Sequence, residues 1–229
     1  KIDLTPVAGE PIDFKRIAEL GKEGVLLYMA ESTNIERAGY TMSETVVGTT
    51  LDHLFAENAD RRLIIATFAS NVHRVQQIIN AAAKYGRKVA VSGRSMENIV
   101  EVAIELGYMH IPSNTLIRID DINRYNDNQL VIVTTGSQGE EMSALFRMAY
   151  SDHRKVEITN NDLIIVSASA IPGNEKTISR VINELFRRGA EVVYESHADI
   201  HVSGHACQEE LKLMLALTKP KFFMPVHTH

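Results

Sequence analysis

The feature of this sequence that most limits its fold is a series of short, almost continuous runs of valine, isoleucine and leucine, each followed by an amphipathic stretch. The runs do not alternate with polar residues, which is typical of parallel strands buried on both faces. We therefore predict seven strands, at Val25–Met29, Leu63–Thr67, Lys88–Ser92, Leu130–Thr134, Leu163–Ala168, Ala190–Glu195 and Phe222–Val226.

Four of the intervening segments carry their apolar residues on one helical stripe and then meet a glycine or proline, which ends a helix. The predicted helices span residues 72–83, 95–106, 178–186 and 207–217, before Gly86, Gly107, Gly189 and Pro220. Strands that alternate with helices predict an α/β fold, with a doubly wound, mainly parallel sheet and helices on both faces.

Length and composition limit the class of protein further. A chain of 229 residues is long for one domain and short for two, so we expect one α/β domain with a second, incomplete piece. The formal charge of −5 argues against a uniformly basic nucleic-acid-binding surface, although not against a local basic groove. No apolar run is long enough to span a membrane, so no membrane partner is expected. A single cysteine, Cys207, suits a reducing cytoplasm, and a first residue other than methionine suggests a fragment.

Polar loops follow the predicted strands. In doubly wound sheets ligands bind at the carboxyl ends of the strands, where helix N-termini attract phosphate. The alternative is that these residues only cap helices, because serine and asparagine are preferred N-caps. We predict that the strand-end residues line one cleft with the loop from His201 to His205. They are Ser70, Asn71, Arg94, Ser137 and Ser169.

Nine histidines are present, and five of them lie in the last 33 positions. The sharpest local pattern is the run His201, Val202, Ser203, Gly204 and His205. A hydroxyl, a glycine that permits close backbone approach and two imidazoles can together hold a phosphate. The same two histidines, four residues apart, can instead bind a metal or cap the following helix.

Two further residues stand at the ends of predicted strands. His227 follows Phe222–Val226 and is a candidate metal ligand, although a histidine at such a position is more often structural. Glu31 follows Val25–Met29 and can orient an imidazole, as carboxylates do around metal-bound histidines. The plainer interpretation of Glu31 is an ordinary neighbour of a helix cap.

Several motifs together resemble bacterial ribonuclease J, a metallo-β-lactamase-fold nuclease with a β-CASP domain. The resemblance covers essentially all of residues 1–227, and the motifs stand in the family's order. They are MAESTN (29–34), YTMSE (40–44), FASNVHR (68–74), GRSMEN (93–98), TTGSQGE (134–140), IPGNEKTISR (171–180), DIHVSGHACQEELKLML (199–215) and PKFFMPVH (220–227).

The resemblance implies a metal-dependent ribonuclease, a 5′-to-3′ exonuclease that also cuts internally, active in RNA processing and decay. It implies two zinc ions in the intact enzyme, with His227 as a ligand, and a hydroxide that attacks the phosphate. It makes His205, oriented by Glu31, the catalytic residue that stabilises or protonates the phosphate and leaving oxygen. It makes the loop from His201 to His205 a phosphate-binding loop. The implied partners are 5′-monophosphorylated RNA and further subunits, in a homodimer or homotetramer, with a paralogous subunit as one alternative.

The sequence also departs from that family. Its principal metal-binding motif, HxHxDH, does not occur here, so the zinc site is expected to be incomplete in this chain. The only HxH, His227-Thr228-His229, lacks a following Asp-His, and Thr228 and His229 are either native or part of an added junction. We expect a partial metallo-β-lactamase flank at residues 1–35, a β-CASP domain at 36–200 and a return into the lactamase domain at 201–229.

These observations leave two functions open. The chain is either part of a ribonuclease that is inactive as an isolated piece, or an RNA- or nucleotide-binding α/β module with no catalytic activity of its own. A dinucleotide-binding protein is disfavoured because no GxGxxG follows a strand, and residues 136–139 are too short for it.

Overall fold

A computed structural model describes residues 1–195 and 198–227 of the chain. The predicted loop at Ser196-His197 and the Thr228-His229 pair lie outside the described residues. The chain forms two compact units, a smaller one (Lys1–Val46 with Val202–His229) and a larger one (Val47–His201).

Seven α-helices and eight strands make up the described chain, together with two short 3₁₀ turns at Ile119–Arg124 and Asp127–Gln129. In chain order they are α1 (Phe14–Glu23), β1 (Leu27–Glu31), α2 (Glu44–Glu57), β2 (Arg62–Ala66), α3 (Val72–Lys84), β3 (Lys88–Ser92), α4 (Arg94–Glu105), β4 (Leu116–Ile117), β5 (Leu130–Thr134), α5 (Ala144–Ala149), β6 (Asp162–Val166), α6 (Glu175–Arg187), β7 (Glu191–Val193), α7 (Gln208–Thr218) and β8 (Phe222–Val226).

The larger unit is built on a six-stranded sheet in the order β4-β3-β5-β2-β6-β7, and all of its strand pairs are parallel. Strands β2, β5 and β6 are buried along their whole length. Ile64 of β2 lies opposite Ile132 of β5 on one side and Ile164 of β6 on the other. The predicted α/β fold with a parallel sheet of at least five strands is therefore confirmed.

The four predicted helices are present as α3, α4, α6 and α7. The Asn71 side chain accepts a hydrogen bond from the Arg74 N–H and so caps α3. Gly86 follows that helix with a φ of 66°, the left-handed conformation that commonly ends helices. None of the helices in the described residues is long and apolar enough to cross a membrane.

The smaller unit contains a two-stranded parallel sheet of β1 and β8, with helices α1 and α7. The two helices approach closely where α1 carries Gly21, because a Cβ added there would lie 2.0 Å from the Leu217 carbonyl oxygen. A larger residue at position 21 would therefore push α1 away from α7.

Some elements differ from the sequence prediction. Strand β1 begins at Leu27 and runs on to Glu31, because its bounds follow from pairing with Phe222–Val226 and not from the apolar run alone. Helices α1, α2 and α5 and the short strand β4 were not predicted. Helix α2 contains Gly48 and several β-branched residues, which favour a helix only weakly. It is held by packing of the buried side chains of Val47, Leu51 and Phe55.

Candidate active site

The two strands of the smaller unit bring Glu31 and His227 together. Strand β1 ends at Glu31, which is paired in parallel register with Val226, and His227 is the next residue after β8. Parallel strands end at the same edge, so Glu31 and His227 both stand at this edge of the two-stranded sheet. The Thr33 hydroxyl donates to the His227 carbonyl oxygen at 2.8 Å and fixes the end of β8.

The third member of the site, His205, comes from the loop that precedes α7. An isolated parallel bridge between Asn34 and Cys207 holds this loop beside the chain that follows β1. The His205 Nδ1 atom lies 3.4 Å from a Glu31 carboxylate oxygen, and its ring centroid lies 5.3 Å from that of His227. We call these three residues the Glu31–His205–His227 cluster.

Glu31 is held in its ionised form. Burial by itself disfavours the charge, but N–H donors from Ala206 and Thr33 and the nearby His205 imidazole outweigh burial and lower the pKa of this carboxyl below its usual value. One carboxylate oxygen accepts from the Ala206 N–H and the other from the Thr33 N–H, each at 2.9 Å. Glu31 therefore offers His205 a fixed negative charge.

His227 has a backbone φ of 48°, in the left-handed region that is uncommon for residues other than glycine. Such a conformation costs of order 1–3 kcal/mol and tends to occur where function sets the direction of a side chain. It makes His227 a stronger functional candidate than its residue type alone does.

The remaining residues of the predicted phosphate loop continue from one unit to the other along the chain. His201 is the last residue of the larger unit, and Val202 begins the second segment of the smaller one. Within the smaller unit Val202 is buried, and the Ser203 hydroxyl accepts from the Asn34 amide and from the His205 N–H. A Cβ added to Gly204 would meet no atom within 4 Å, so this position is open to a ligand.

Sequence reasoning missed the residues that hold this loop in place. The Thr41 hydroxyl lies 2.9 Å from the His205 carbonyl oxygen, and the Asn34 amide lies 3.4 Å from the same atom. Glu210, the third residue of α7, accepts from the Cys207 N–H at 2.7 Å. Cys207 and Glu210 form a capping box at the start of α7, and their three-residue spacing was the one signal in the sequence.

Glu210 gives a prediction about acid stability. Burial raises the pKa of its carboxyl, but hydrogen bonds from Thr41, Ile2 and Cys207 outweigh burial and lower the pKa below its ordinary value of 4.5. A carboxyl with a depressed folded-state pKa stabilises the protein above its unfolded-state pKa, and that stability is lost as the pH falls through the folded-state pKa. Denaturation midpoints below pH 4.5 should therefore fall less steeply with decreasing pH for Glu210→Gln than for wild type.

The matched control for this experiment is Glu209→Gln, because Glu209 is a half-exposed neighbour whose carboxylate pairs with the exposed Lys212. Below pH 4.5 the denaturation midpoint of Glu209→Gln should fall with decreasing pH as steeply as that of wild type. An equally steep fall for Glu210→Gln and wild type would contradict the prediction.

Zinc binding, with His227 as a ligand, is the other function that the sequence analysis expects in this region. Zinc in proteins is held by about three or four protein ligands. Within residues 1–195 and 198–227, no group of three or more histidine, cysteine, aspartate or glutamate side chains is arranged to hold a metal ion. The described residues do not fit a zinc ion by themselves, and the chemistry of the cluster is that of two imidazoles and a carboxylate.

The other predicted phosphate contacts all belong to the larger unit. They follow four adjacent strands of its sheet, β3, β5, β2 and β6, so their loops leave from the same edge. Arg94 is exposed at the start of α4, whereas Ser137 is buried. That they share one cleft with residues 201–205 stays a prediction.

Three of these side chains have other contacts in the structure. Ser70 and Asn71 line a cavity of about 350 Å³ beside α4, and Asn71 also caps α3. The Ser169 hydroxyl donates to the Glu195 carboxylate at 2.6 Å. For Asn71 the capping role that the sequence left open is therefore confirmed, whereas its contact with phosphate stays a prediction.

Gln138 is a further residue that the sequence analysis did not single out as a site residue. Its side-chain amide donates to the Ser169 carbonyl oxygen and accepts from the Ile171 N–H, both at 2.8 Å. It thereby ties the loop after β5 to the loop after β6. Its position inside the GSQGE motif was the available signal.

Comparison with known families identifies two parts of the chain. Residues 60–185 match the family described as "Ribonuclease J, beta-CASP domain". Residues 189–229 match the family described as "Zn-dependent metallo-hydrolase RNA specificity domain", which points to zinc as the metal of that family.

Curated relatives agree with these matches. Ribonuclease J of Helicobacter pylori is 53% identical over 227 residues, which are 99% of this chain and 33% of that protein. Ribonuclease J of Thermus thermophilus is 47% identical, over 99% of this chain and 39% of that protein. Ribonuclease J2 of Bacillus subtilis is 42% identical, over 99% of this chain and 40% of that protein. The chain thus spans about a third to two fifths of the length of these relatives.

A solved structure shares the fold at low sequence identity. A protein of unknown function from Enterococcus faecalis V583 superposes with a TM-score of 0.61 at 16% identity, over 93% of this chain and 49% of that chain. Together with the family match over more than half of the chain, the high identity to the relatives confirms the resemblance drawn from the motifs. The chain belongs to the ribonuclease J family and carries its β-CASP domain.

Proposed function

We propose that this chain is part of a metal-dependent ribonuclease that degrades RNA from the 5′ end and also cuts internally, in RNA processing and decay in the cytoplasm. The observation that carries the proposal is the Glu31–His205–His227 cluster, formed by three separate parts of the sequence at one strand edge. Catalytic groups commonly meet in this way at the ends of parallel strands.

His205 is the catalytic residue of this proposal, and Glu31 orients it. A protonated imidazole has N–H donors on both nitrogens, so Nδ1 can face Glu31 while Nε2 donates to a phosphate or leaving oxygen. The 3.4 Å distance between Nδ1 and the carboxylate supports this orientation. The open space at Gly204 supports approach of a phosphate to the same loop.

The metal assignment rests on the family. Zinc, when bound, would supply an activated water or hydroxide. We assign His227 as one ligand. By the resemblance, the principal ligands are an HxHxDH motif, a further histidine and an aspartate, which this sequence does not supply. The assignment is supported by the position of His227 directly after β8 and by the 5.3 Å between its ring centroid and that of His205.

The RNA is proposed to be 5′-monophosphorylated and held by phosphate contacts. They are residues 201–205 and five residues that follow strands of one parallel sheet, Ser70, Asn71, Arg94, Ser137 and Ser169. Phosphate contacts of this kind position the nucleic acid without reading its sequence.

We also assign residues 36–200 to a β-CASP domain and residues 1–35 and 201–229 to the metallo-β-lactamase domain. The family match over residues 60–185 supports the first assignment. The intact protein is proposed to act as a homodimer or homotetramer, or together with a paralogous subunit.

The second candidate function is an RNA- or nucleotide-binding module without hydrolysis. It is favoured by one observation, that the described residues gather too few ligands for a metal. The two functions differ in what the full-length protein does, since a binding module retains RNA without shortening it.

The test compares the full-length protein with the 229-residue chain on RNAs that carry a 5′-monophosphate or a 5′-hydroxyl. We expect the full-length protein to shorten the monophosphorylated RNA, and the 229-residue chain to cleave neither RNA and to bind zinc weakly or not at all. Binding without cleavage by the full-length protein would favour the second candidate. Two tightly held zinc ions per 229-residue chain would overturn the ligand assignment.

A further inference from the structure

Glu210 is an unusual carboxylate because its side chain has no exposed surface and its bonded partners are neutral donors. One oxygen accepts from the Ile2 N–H at 2.6 Å. The other accepts from the Thr41 N–H at 2.8 Å, the Thr41 hydroxyl at 2.6 Å and the Cys207 N–H at 2.7 Å. A buried charge is costly unless it is fully hydrogen-bonded, and capping a helix does not require this degree of burial.

The Thr41 hydroxyl, which contacts Glu210, also contacts the backbone of the loop before α7. Its single proton is shared between two acceptors, the Glu210 carboxylate and the His205 carbonyl oxygen at 2.9 Å. The same hydroxyl oxygen accepts from the Cys207 N–H at 3.2 Å. The N–H of the intervening residue, Ala206, donates to Glu31. Three consecutive backbone positions are therefore held, from one side by Thr41 and Glu210 and from the other by Glu31.

This arrangement fixes the backbone position from which the His205 side chain projects. The ring must reach both the Glu31 carboxylate, at 3.4 Å, and the neighbourhood of His227, at 5.3 Å between ring centroids. A side chain on a loop keeps such a position only if its backbone is constrained, and a misplacement of about 1 Å can cost 10²-fold in rate.

We propose that Thr41 and Glu210 are positioning residues, which hold the His205–Cys207 backbone so that the His205 imidazole faces Glu31 and the reacting phosphate. The inference rests on the ribonuclease function proposed above. It assigns no contact with RNA to either residue, and it predicts a loss of turnover without a loss of substrate affinity.

The test uses Thr41→Val in the full-length protein, which removes the hydroxyl and keeps the shape of the side chain. Loss of a residue that supports a catalytic group typically costs about 10–100-fold in activity, so kcat on a 5′-monophosphorylated RNA should fall by that factor while KM is unchanged. Thr41→Ser, which keeps the hydroxyl, should restore kcat.

Thr218→Val is the matched control, because Thr218 is a buried threonine of the smaller unit whose hydroxyl donates within α7, to the Met214 carbonyl oxygen. Its kcat should equal that of wild type. Wild-type kcat in Thr41→Val, or an equal loss in both valine variants, would overturn the inference.

A second variant and a second readout keep the inference testable if Thr41→Val does not fold or if wild type does not cleave RNA. In Glu210→Gln the amide nitrogen must face an N–H or O–H donor whichever way it turns, so kcat should fall while Glu209→Gln stays at the wild-type value. The NMR signals of the His205 imidazole should move in Thr41→Val and Glu210→Gln but not in the two controls. Unmoved signals would overturn the positioning role, whereas an inactive wild type with moved signals would overturn only the ribonuclease function.

Discussion

Replacement of His205 by alanine in the full-length protein is expected to slow RNA hydrolysis by about 10²–10³-fold, the usual cost of losing one transition-state charge stabiliser. The amount of bound zinc should change little. The reason is geometric, because His205 lies on a loop, its Nδ1 faces Glu31 and the neighbouring Gly204 leaves room for a phosphate. On the proposed role, His205 acts on the substrate, and His227 rather than His205 holds the metal.

His227→Ala is expected to lower both the hydrolysis rate and the zinc content. His227 follows β8 directly and its carbonyl oxygen accepts from the Thr33 hydroxyl, so the backbone that carries its ring is held at the end of the sheet. A side chain that binds a metal needs a backbone held in place in this way. The two alanine variants therefore separate the two roles that the sequence left open for these histidines.

The measurement is single-turnover cleavage of a 5′-monophosphorylated RNA, with zinc analysis of the same samples. His53→Ala is a suitable control, because His53 is an exposed residue of α2 in the larger unit. If His205→Ala loses zinc as strongly as His227→Ala, then His205 is a ligand and the proposed roles are wrong.

The parallel sheet was predictable because its central strands are buried on both faces. Strands β2, β5 and β6 each contain four consecutive apolar residues for that reason, and this pattern was enough to locate them. Helix α2 was not predictable in the same way, because Gly48 and its β-branched residues oppose a helix and only tertiary packing stabilises it.

The residues of the candidate site also fall into those that a local pattern predicts and those that only tertiary contacts bring together. Glu31 and His227 could be named because they stand at the ends of apolar runs, and His205 because it closes a dense local motif. Thr41 and Glu210 are separated by 169 residues, and neither residue type signals a site by itself. Their contact exists only once β1, the following loop and α7 are brought together, which no local pattern encodes.

A buried ion pair in the larger unit gives the second large effect, on stability. The Asp162 side chain has no exposed surface and accepts two hydrogen bonds from the Arg62 guanidinium, both of 2.7 Å. The two residues stand opposite each other at the amino ends of β6 and β2. Burial lowers the pKa of Arg62, but the bonds to Asp162 outweigh burial and raise the pKa overall, so the guanidinium stays charged.

Asp162→Ala is expected to lower the free energy of unfolding by about 3–5 kcal/mol, because it removes the buried, hydrogen-bonded partner of Arg62. The guanidinium then keeps only the half-exposed Asp127 carboxylate, 3.8 Å away. It also removes the acceptor of the Thr159 N–H. Urea denaturation of the full-length protein would measure the loss. Asp121→Ala is the control, since Arg118 and Arg124, which pair with Asp121, are exposed and such surface pairs contribute about 0–1 kcal/mol.

The double variant Arg62→Met with Asp162→Ala separates the cost of an unpaired charge from the value of the pair. Replacing a buried pair with apolar side chains is often close to neutral, so the double variant should be more stable than Asp162→Ala alone. A double variant that is as unstable as the single one would mean that the loss comes from the Thr159 bond and the cavity at Asp162. In that case the charge on Arg62 would contribute little, and the amino ends of β2 and β6 would be held by packing of their apolar residues.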